Sequence, residues 1–313
     1  MNIVFMGTAE LSCASLARLA GAPGFRLQAV VTQPEKPKGR ELRLTPSPVK
    51  VLAEQLRLPV LQPLKAREEH FAEQLQALQP DLMVVVAYGQ ILPQRLLDLS
   101  RHGCLNVHTS LLPKYRGAAP IQWAIADGEA ETGVTIMKMD AGLDTGPVLA
   151  TRRTPILPSD DAQTLHDRLA RLGAELLLET IPGYVAGTLP PRPQPAEGAT
   201  YAAKIKKEDG RIDWRLPAGK IWNRLRAFSP WPGGFTFLAA QPTPQLLKIW
   251  KAEVVAQAGS PGVILSADKS GLVVGCGAGA LRILELQREG GKRLGVEAFL
   301  AGYPVKPGAS LAR

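Results

Sequence analysis

The amino-acid sequence predicts a doubly wound, mostly parallel α/β sheet of Rossmann-like type with a smaller C-terminal β-barrel domain of OB-like type. Three observations carry that prediction. Short apolar runs alternate with stretches of helical period through the first part of the chain, the spacing of strand–helix–strand units. Pro190, Pro191, Pro193 and Pro195 then crowd together, which makes a stiff extended linker and a domain boundary. Beyond it five short apolar runs follow one another closely, the pattern of a small barrel. The boundaries read as a domain over 1–189, a linker over 190–207 and a second domain over 208–313.

Asn2 to Met6 is an apolar run closed by Gly7, with Leu11, Leu16 and Leu19 behind it at near-helical spacing: strand, glycine turn, helix. Only one glycine of a G-x-G-x-x-G pattern stands at that turn, which weighs against dinucleotide binding. Arg26 to Thr32 reads as the second strand. Gln33 to Lys50 reads as a loop, with Lys36, Lys38, Arg40 and Arg43 set among prolines. Ser47 before Pro48 is an N-cap followed by proline at the first helical position, opening a helix through Val51, Leu52 and Leu56. Leu58 to Leu61 reads as a strand, Arg67 to Leu78 as a helix, and Leu82 to Tyr88 as a strand buried on both faces. Ala162 to Val185 is a long helix, with Leu165, Leu169, Leu172 and Leu176 as its buried stripe. In the second domain Ala218 to Phe228 is a helix that turns Ile221, Trp222 and Leu225 inward and Lys220, Arg224 and Arg226 outward. The barrel strands are Phe235 to Leu238, Leu246 to Val255, Val263 to Leu265, Leu272 to Cys276 and Leu281 to Leu286.

A chain of 313 residues exceeds what one hydrophobic core usually organises, and 45% apolar content is that of a soluble globular protein. No apolar run reaches the roughly 18 residues of a membrane span, and the first cation is Arg18, so neither a membrane helix nor a secretory signal is expected. The expectation is a cytoplasmic monomer. Cys13, Cys104 and Cys276 are odd in number and far apart, which argues against a disulfide framework or a zinc site and for reduced, mostly buried thiols. The net charge of +9 is unevenly placed: residues 1–200 hold 20 Lys and Arg against 20 Asp and Glu, whereas residues 201–313 hold 17 against 8. The surplus, led by Lys204, Lys206 and Lys207, reads as a surface for a polyanion, nucleic acid before membrane.

The chemistry is expected in Gly103 to Gly117. On a strand, Asn106 and His108 point to one face, with Leu105 and Val107 to the other. A carboxamide can donate to an oxyanion, and a neutral imidazole can take a proton from a nucleophile. Asp144, in the glycine-rich loop after the run Gly133 to Met139, can orient the imidazole and stabilise its cation. Those three services suffice for acyl transfer if the substrate brings its own amine, with no seryl or cysteinyl nucleophile.

The words FMGTAELS, TPSPVKVLAE, VVVAYGQILP, NVHTSLLPKYRGAAPIQWAI, ETGVTIMKMDAGLDTGP and SPWPG give the chain a resemblance to the folate-dependent formyltransferases over nearly its whole length. Thr109 and Leu11 depart from what is common there, and neither is one of the catalytic positions. Within that superfamily the length and C-terminal half resemble the members that act on methionyl initiator tRNA. The resemblance implies catalytic roles for Asn106, His108 and Asp144, and 10-formyltetrahydrofolate as a co-substrate with no permanently bound cofactor and no metal. It implies that main chain around Tyr88, Gly89, Gln90 and Ile91, around Ser110, Leu111, Leu112 and Pro113, and around Met139 and Asp140 cradles the pterin. It gives the loop bearing Lys36, Lys38, Arg40 and Arg43 to the end of the tRNA acceptor stem, with Arg40 at the terminal base pair. Three other readings stand beside this one. They are a formyltransferase for a small amine such as glycinamide ribonucleotide or an amino-sugar nucleotide, a dinucleotide-dependent oxidoreductase, and a non-catalytic RNA-binding protein.

Overall fold

The computed structural model of the protein describes residues 1–38, 43–238 and 244–312. The chain divides into two compact units, Met1–Pro120 with Glu131–Pro155 and His166–Ala202, and Ile121–Ala130 with Ile156–Leu165 and Ala203–Arg313.

The first unit is built on a seven-stranded sheet whose spatial order is Val148–Pro155, Glu131–Lys138, Cys104–His108, Leu82–Val86, Asn2–Gly7, Arg26–Val31 and Val60–Leu61. The five strands from Cys104–His108 onward are parallel, and the two at the other edge are antiparallel. The mostly parallel expectation is met. Leu82–Val86 is fully buried along its length, as strands covered on both faces must be. Helix Pro48–Gln55 starts where the Ser–Pro pair puts it, the Ser47 hydroxyl accepting from the Lys50 N–H at 3.0 Å. Helix Ala162–Val185 lies over the sheet at Gly173, where a Cβ would come within 2.7 Å of Val107.

One expectation is corrected in this unit. The stretch expected as a loop from Gln33 carries an antiparallel pair of short strands, the hairpin arms Lys36–Lys38 and Arg43–Thr45; Arg40 lies outside the described residues. The proline-rich stretch expected as a stiff extended linker also touches the sheet, the backbone of Arg192 exchanging two hydrogen bonds with Val148 at the sheet edge. Proline supplies no donor, so a lone pairing position between prolines leaves no periodic trace.

The second unit holds an antiparallel sheet in the order Ile264–Asp268, Gly271–Gly275, Ala280–Arg288, Gln245–Val255, Gly234–Leu238 and Leu311–Ala312, with Arg293–Gly295 paired to Ala280–Arg288. The sheet curls until Val263 bridges Ser310 and its ends meet, as an OB-like domain requires. Leu247, Ile249, Leu272, Val274, Leu281 and Ile283 fill the inside together with Ile221 and Leu225 of helix Ala218–Ala227. Arg226 was expected on the solvent side but is half-buried. Its guanidinium stacks on Trp222 with the Cζ atom 3.9 Å from the ring centroid, and it donates to the carbonyls of Leu157 and Asp160. Burial holds its pKa below the ordinary guanidinium value.

Candidate active site

The site grows from the carboxyl ends of parallel strands, where side chains and main chain leave the sheet together. Cys104, Asn106 and His108 share one face of the strand Cys104–His108, and all three are buried. Cys104 is no nucleophile, because burial, helped by the negative charge of Asp98, pushes its thiol up to about 12. Asn106 stands opposite Met137 and beside Val85, and His108 stands opposite Thr135.

His108 reaches two partners. Its Nε2 is 2.9 Å from the carbonyl oxygen of Tyr115, and its Nδ1 is 3.7 Å from Oδ2 of Asp144. A carbonyl only accepts, so Nε2 carries the proton and Nδ1 is the basic nitrogen of the neutral ring. The orienting group is therefore a backbone carbonyl, and the carboxylate faces the nitrogen that gains charge. Oδ2 of Asp144 also accepts the Gly117 N–H at 2.8 Å. Of the three residues read from the sequence, His108 and Asp144 are thus brought together, and Asn106 lies on the same strand face as His108.

Left-handed backbone frames this convergence. Ala87, Tyr115 and Asp144 have φ of 43°, 60° and 52°, sparsely populated values for non-glycine residues. Each is held by neighbours. The Tyr115 N–H donates to the Thr200 hydroxyl at 2.8 Å, and the Arg116 N–H donates to the Thr200 carbonyl at 2.9 Å. Gly117, with φ of 116°, lies so close to Ala202 that a Cβ would meet its carbonyl oxygen at 2.7 Å. The Ala87 carbonyl accepts from the N–H groups of Thr8 and Ala9.

Two of the three segments expected to cradle a pterin, Tyr88–Ile91 and Ser110–Pro113, follow the carboxyl ends of parallel strands, whereas Met139 lies at the other end of Cys104–His108, its N–H donating to the Cys104 carbonyl at 2.8 Å. After Leu82–Val86, Tyr88 buries its ring, and burial raises its hydroxyl to about 12. Its carbonyl accepts from the Thr8 hydroxyl and the Gln33 amide. Gly89 is left-handed at φ 80°, Gln90 spends its side chain on Ala66 and Leu64, and Ile91 is 88% exposed. The Ser110 carbonyl accepts from Thr135, whose hydroxyl oxygen also takes the Leu112 N–H. Leu111 is half-buried, and the Leu112–Pro113 bond is cis. Met139 packs against the core, and the Asp140 carboxylate accepts from the Gly142 N–H and the Thr145 hydroxyl. A cavity of about 520 Å³ opens beside the Ala87–Gly89 turn, lined also by Thr8, Gln33, Lys36, Thr45 and Ser47.

Of the cations expected to meet RNA, Lys36 lines that cavity and donates to Gln33 at 2.5 Å, while Lys38 and Arg43 end the described arms of the hairpin. Lys204, Lys206 and Lys207 are exposed, at the start of the second unit. Sequence reasoning missed Arg116, Gln194 and Thr200. Each is a single polar residue in a turn or between prolines, with no period to mark it.

Residues 1–181 match the family described as formyl transferase, and residues 204–304 match the formyl transferase C-terminal domain. A methionyl-tRNA formyltransferase of Geobacter metallireducens is 51% identical over 311 residues, covering 99% of this chain and 98% of its own. That of Caldanaerobacter subterraneus subsp. tengcongensis is also 51% identical, covering 99% of this chain and all of its own. Among solved structures, an N-formyltransferase from Helicobacter canadensis with folinic acid and dTDP-3-aminofucose superposes at a TM-score of 0.66 with 17% identity, covering 93% of this chain and 99% of its own. HypX from Aquifex aeolicus with tetrahydrofolic acid gives 0.62 and 19%, covering 98% of this chain and 48% of its own. At those identities the two structures establish the fold alone.

Proposed function

The chain belongs to the formyl transferase family, and from that membership we propose its reaction: a formyl group passes from 10-formyltetrahydrofolate to the α-amine of methionine esterified to initiator tRNA. The observation that carries this reading is half-identity to methionyl-tRNA formyltransferases along the whole chain, and the approach of the His108 imidazole to the Asp144 carboxylate supports it.

The steps follow from the groups. The free amine attacks the formyl carbon, a C–N bond forms, and the carbonyl oxygen becomes an oxyanion that the Asn106 amide meets as donor. The attacking nitrogen, now an ammonium, gives a proton to Nδ1 of His108. The resulting imidazolium donates from Nε2 to Tyr115 and faces the Asp144 carboxylate. The intermediate collapses with loss of the folate N10, which takes a proton back from His108. The balance is one formamide formed, one broken and no net proton change.

Main chain at Tyr88–Ile91, Ser110–Pro113 and Met139–Asp140 suits a pterin, whose edge alternates donors and acceptors. We assign the acceptor end of the tRNA to Lys36, Lys38, Arg40 and Arg43 and to the 520 Å³ cavity that Lys36 lines. Residues 1–189 are assigned to catalysis. Residues 190–207 serve as linker, and residues 208–313, with Lys204, Lys206 and Lys207 before them, serve as the tRNA-binding part. No helix among the described residues is long and apolar enough to cross a membrane, and we place the protein in the cytoplasm as a monomer.

The test is a formylation assay with charged initiator tRNA and 10-formyltetrahydrofolate, run beside charged elongator methionine tRNA. Formylation of the initiator at a rate well above the elongator is expected. Equal rates would overturn the choice of acceptor, and formylation only of a small amine would overturn the tRNA reading.

A further inference from the structure

The Asp144 turn is held by a clamp from the proline-rich strap. Oε1 of Gln194 accepts from Nε and Nη2 of Arg116 at 3.1 and 2.7 Å. Nε2 of Gln194 donates to the carbonyls of Asp144 and Gly146 at 2.8 and 2.7 Å. A guanidinium only donates and a carbonyl only accepts, so the carboxamide has one possible orientation, and both its N–H groups are used. The strap around it, from Pro190 to Gly198, is otherwise exposed, and Gln194 alone turns into the protein. Arg116 is buried, so its charge polarises the amide where water screens it little.

What the clamp grips is the strained residue. Asp144 sits at φ 52°, a conformation that persists only when its surroundings over-determine it. One side of the turn is tied through the carboxylate to the Gly117 N–H, and the other through the carbonyl to Gln194. Arg116, next to Gly117, joins the two ties. Without Gln194 the carbonyls of Asp144 and Gly146 lose their shared donor, the buried guanidinium loses its acceptor, and the turn can relax out of the left-handed region. The carboxylate would then leave its place opposite Nδ1 of His108.

We propose that Gln194 is a positioning residue for formyl transfer, holding the Asp144 carboxylate opposite His108 through a bridge from the Arg116 guanidinium to the Asp144 and Gly146 carbonyls. The proposal rests on the reaction given above.

The experiment compares wild type, Gln194→Ala, Asp144→Asn and the double variant. It uses steady-state formylation and, independently of activity, amide hydrogen exchange of the segments around Gly117 and Gly146. Gln194→Ala is expected to lower kcat about 10- to 100-fold, the scale of a catalytic group displaced by about 1 Å, with KM for both substrates changed less than about twofold. In the Asp144→Asn background the same substitution should cost less than about threefold, because the group it positions is already disabled. The Gly117 amide should exchange at least about tenfold faster in Gln194→Ala.

Full additivity of the two substitutions would overturn the proposal, since a residue that only supports the fold costs the same in either background. A kcat within about twofold of wild type would also overturn it, as would unchanged exchange at Gly117. Gln194→Glu keeps the partner for Arg116 but loses both donors, so it should fall with Gln194→Ala; wild-type turnover in that variant counts against the clamp. If the wild type forms no formylmethionyl-tRNA, the reaction fails while the exchange measurement still decides whether Gln194 holds the turn.

Discussion

His108 owes its orientation to the Tyr115 carbonyl, which leaves Nδ1, 3.7 Å from Asp144, as the nitrogen that takes the proton in the proposed reaction. His108→Ala and Asp144→Ala are expected to lower kcat about 10²- to 10⁴-fold with KM for the folate kept, the range of a lost acid–base group. Asn106→Ala should cost about 10²- to 10³-fold, the worth of one oxyanion donor. Steady-state kinetics with either substrate varied check both, and turnover near wild type would exclude the residue concerned. The buried thiol of Cys104 makes a separate prediction. Its pKa is raised from 9.0 to about 12 in the folded protein, so it stays protonated after the unfolded chain has released its proton. The stability it contributes is complete below pH 9.0 and is lost as pH rises toward 12. Urea denaturation between pH 9.0 and 11 should show Cys104→Ala losing stability less steeply than wild type, by about 1.4 kcal/mol per pH unit.

At the scale of elements, the site depends on a segment that forms almost no regular structure. From Arg192 to Ala202 the chain pairs with the sheet edge at Val148, clamps the Asp144 turn through Gln194, and holds Tyr115 through Thr200. It then pairs Tyr201–Ala202 with Arg116–Gly117. Gly117 is where this strap comes nearest, and a side chain there would meet both a left-handed φ and the Ala202 carbonyl. Gly117→Ala is expected to cost about 1–3 kcal/mol of stability and to lower kcat more than it raises KM for the folate. Thermal unfolding beside kinetics reads both. A variant that unfolds earlier yet turns over normally would separate the strap from catalysis.

Over the whole molecule charge is unevenly placed: the first 200 residues, to which the proposed chemistry is assigned, are neutral, and the last 113 hold the cationic surplus. Cations that neutralise phosphates release counterions, so KM for the tRNA should rise steeply with salt while KM for the folate changes little. Replacing Lys204, Lys206 and Lys207 by alanine should raise KM for the tRNA at physiological salt and flatten its salt dependence, by about 0.7–0.9 in log–log slope for each phosphate left without its cation. An unchanged slope in the triple variant would remove these lysines from the interface.

The sequence alone determined the alternation of strands and helices, the curled second unit and the basic surplus, and it singled out Asn106, His108 and Asp144 as candidates. Each is written in a local signal: apolar period, charge count, or residue types whose chemistry is specific. Helix ends at Ser47–Pro48 and Ala162–Val185 were legible for the same reason, since capping and periodicity act within a few residues. Only the tertiary structure decided that a carbonyl orients His108, that Arg226 is stacked and half-buried, and that Gln194 bonds to the Asp144 turn and Thr200 to Tyr115. Their partners lie far off along the chain or around a strained turn: His108 and Tyr115 meet across a left-handed bend, and Gln194 reaches Arg116 across 78 positions. Polar pairings of that span repay the entropy of closing their loops only once the sheet has already brought both ends together, so no local pattern can announce them.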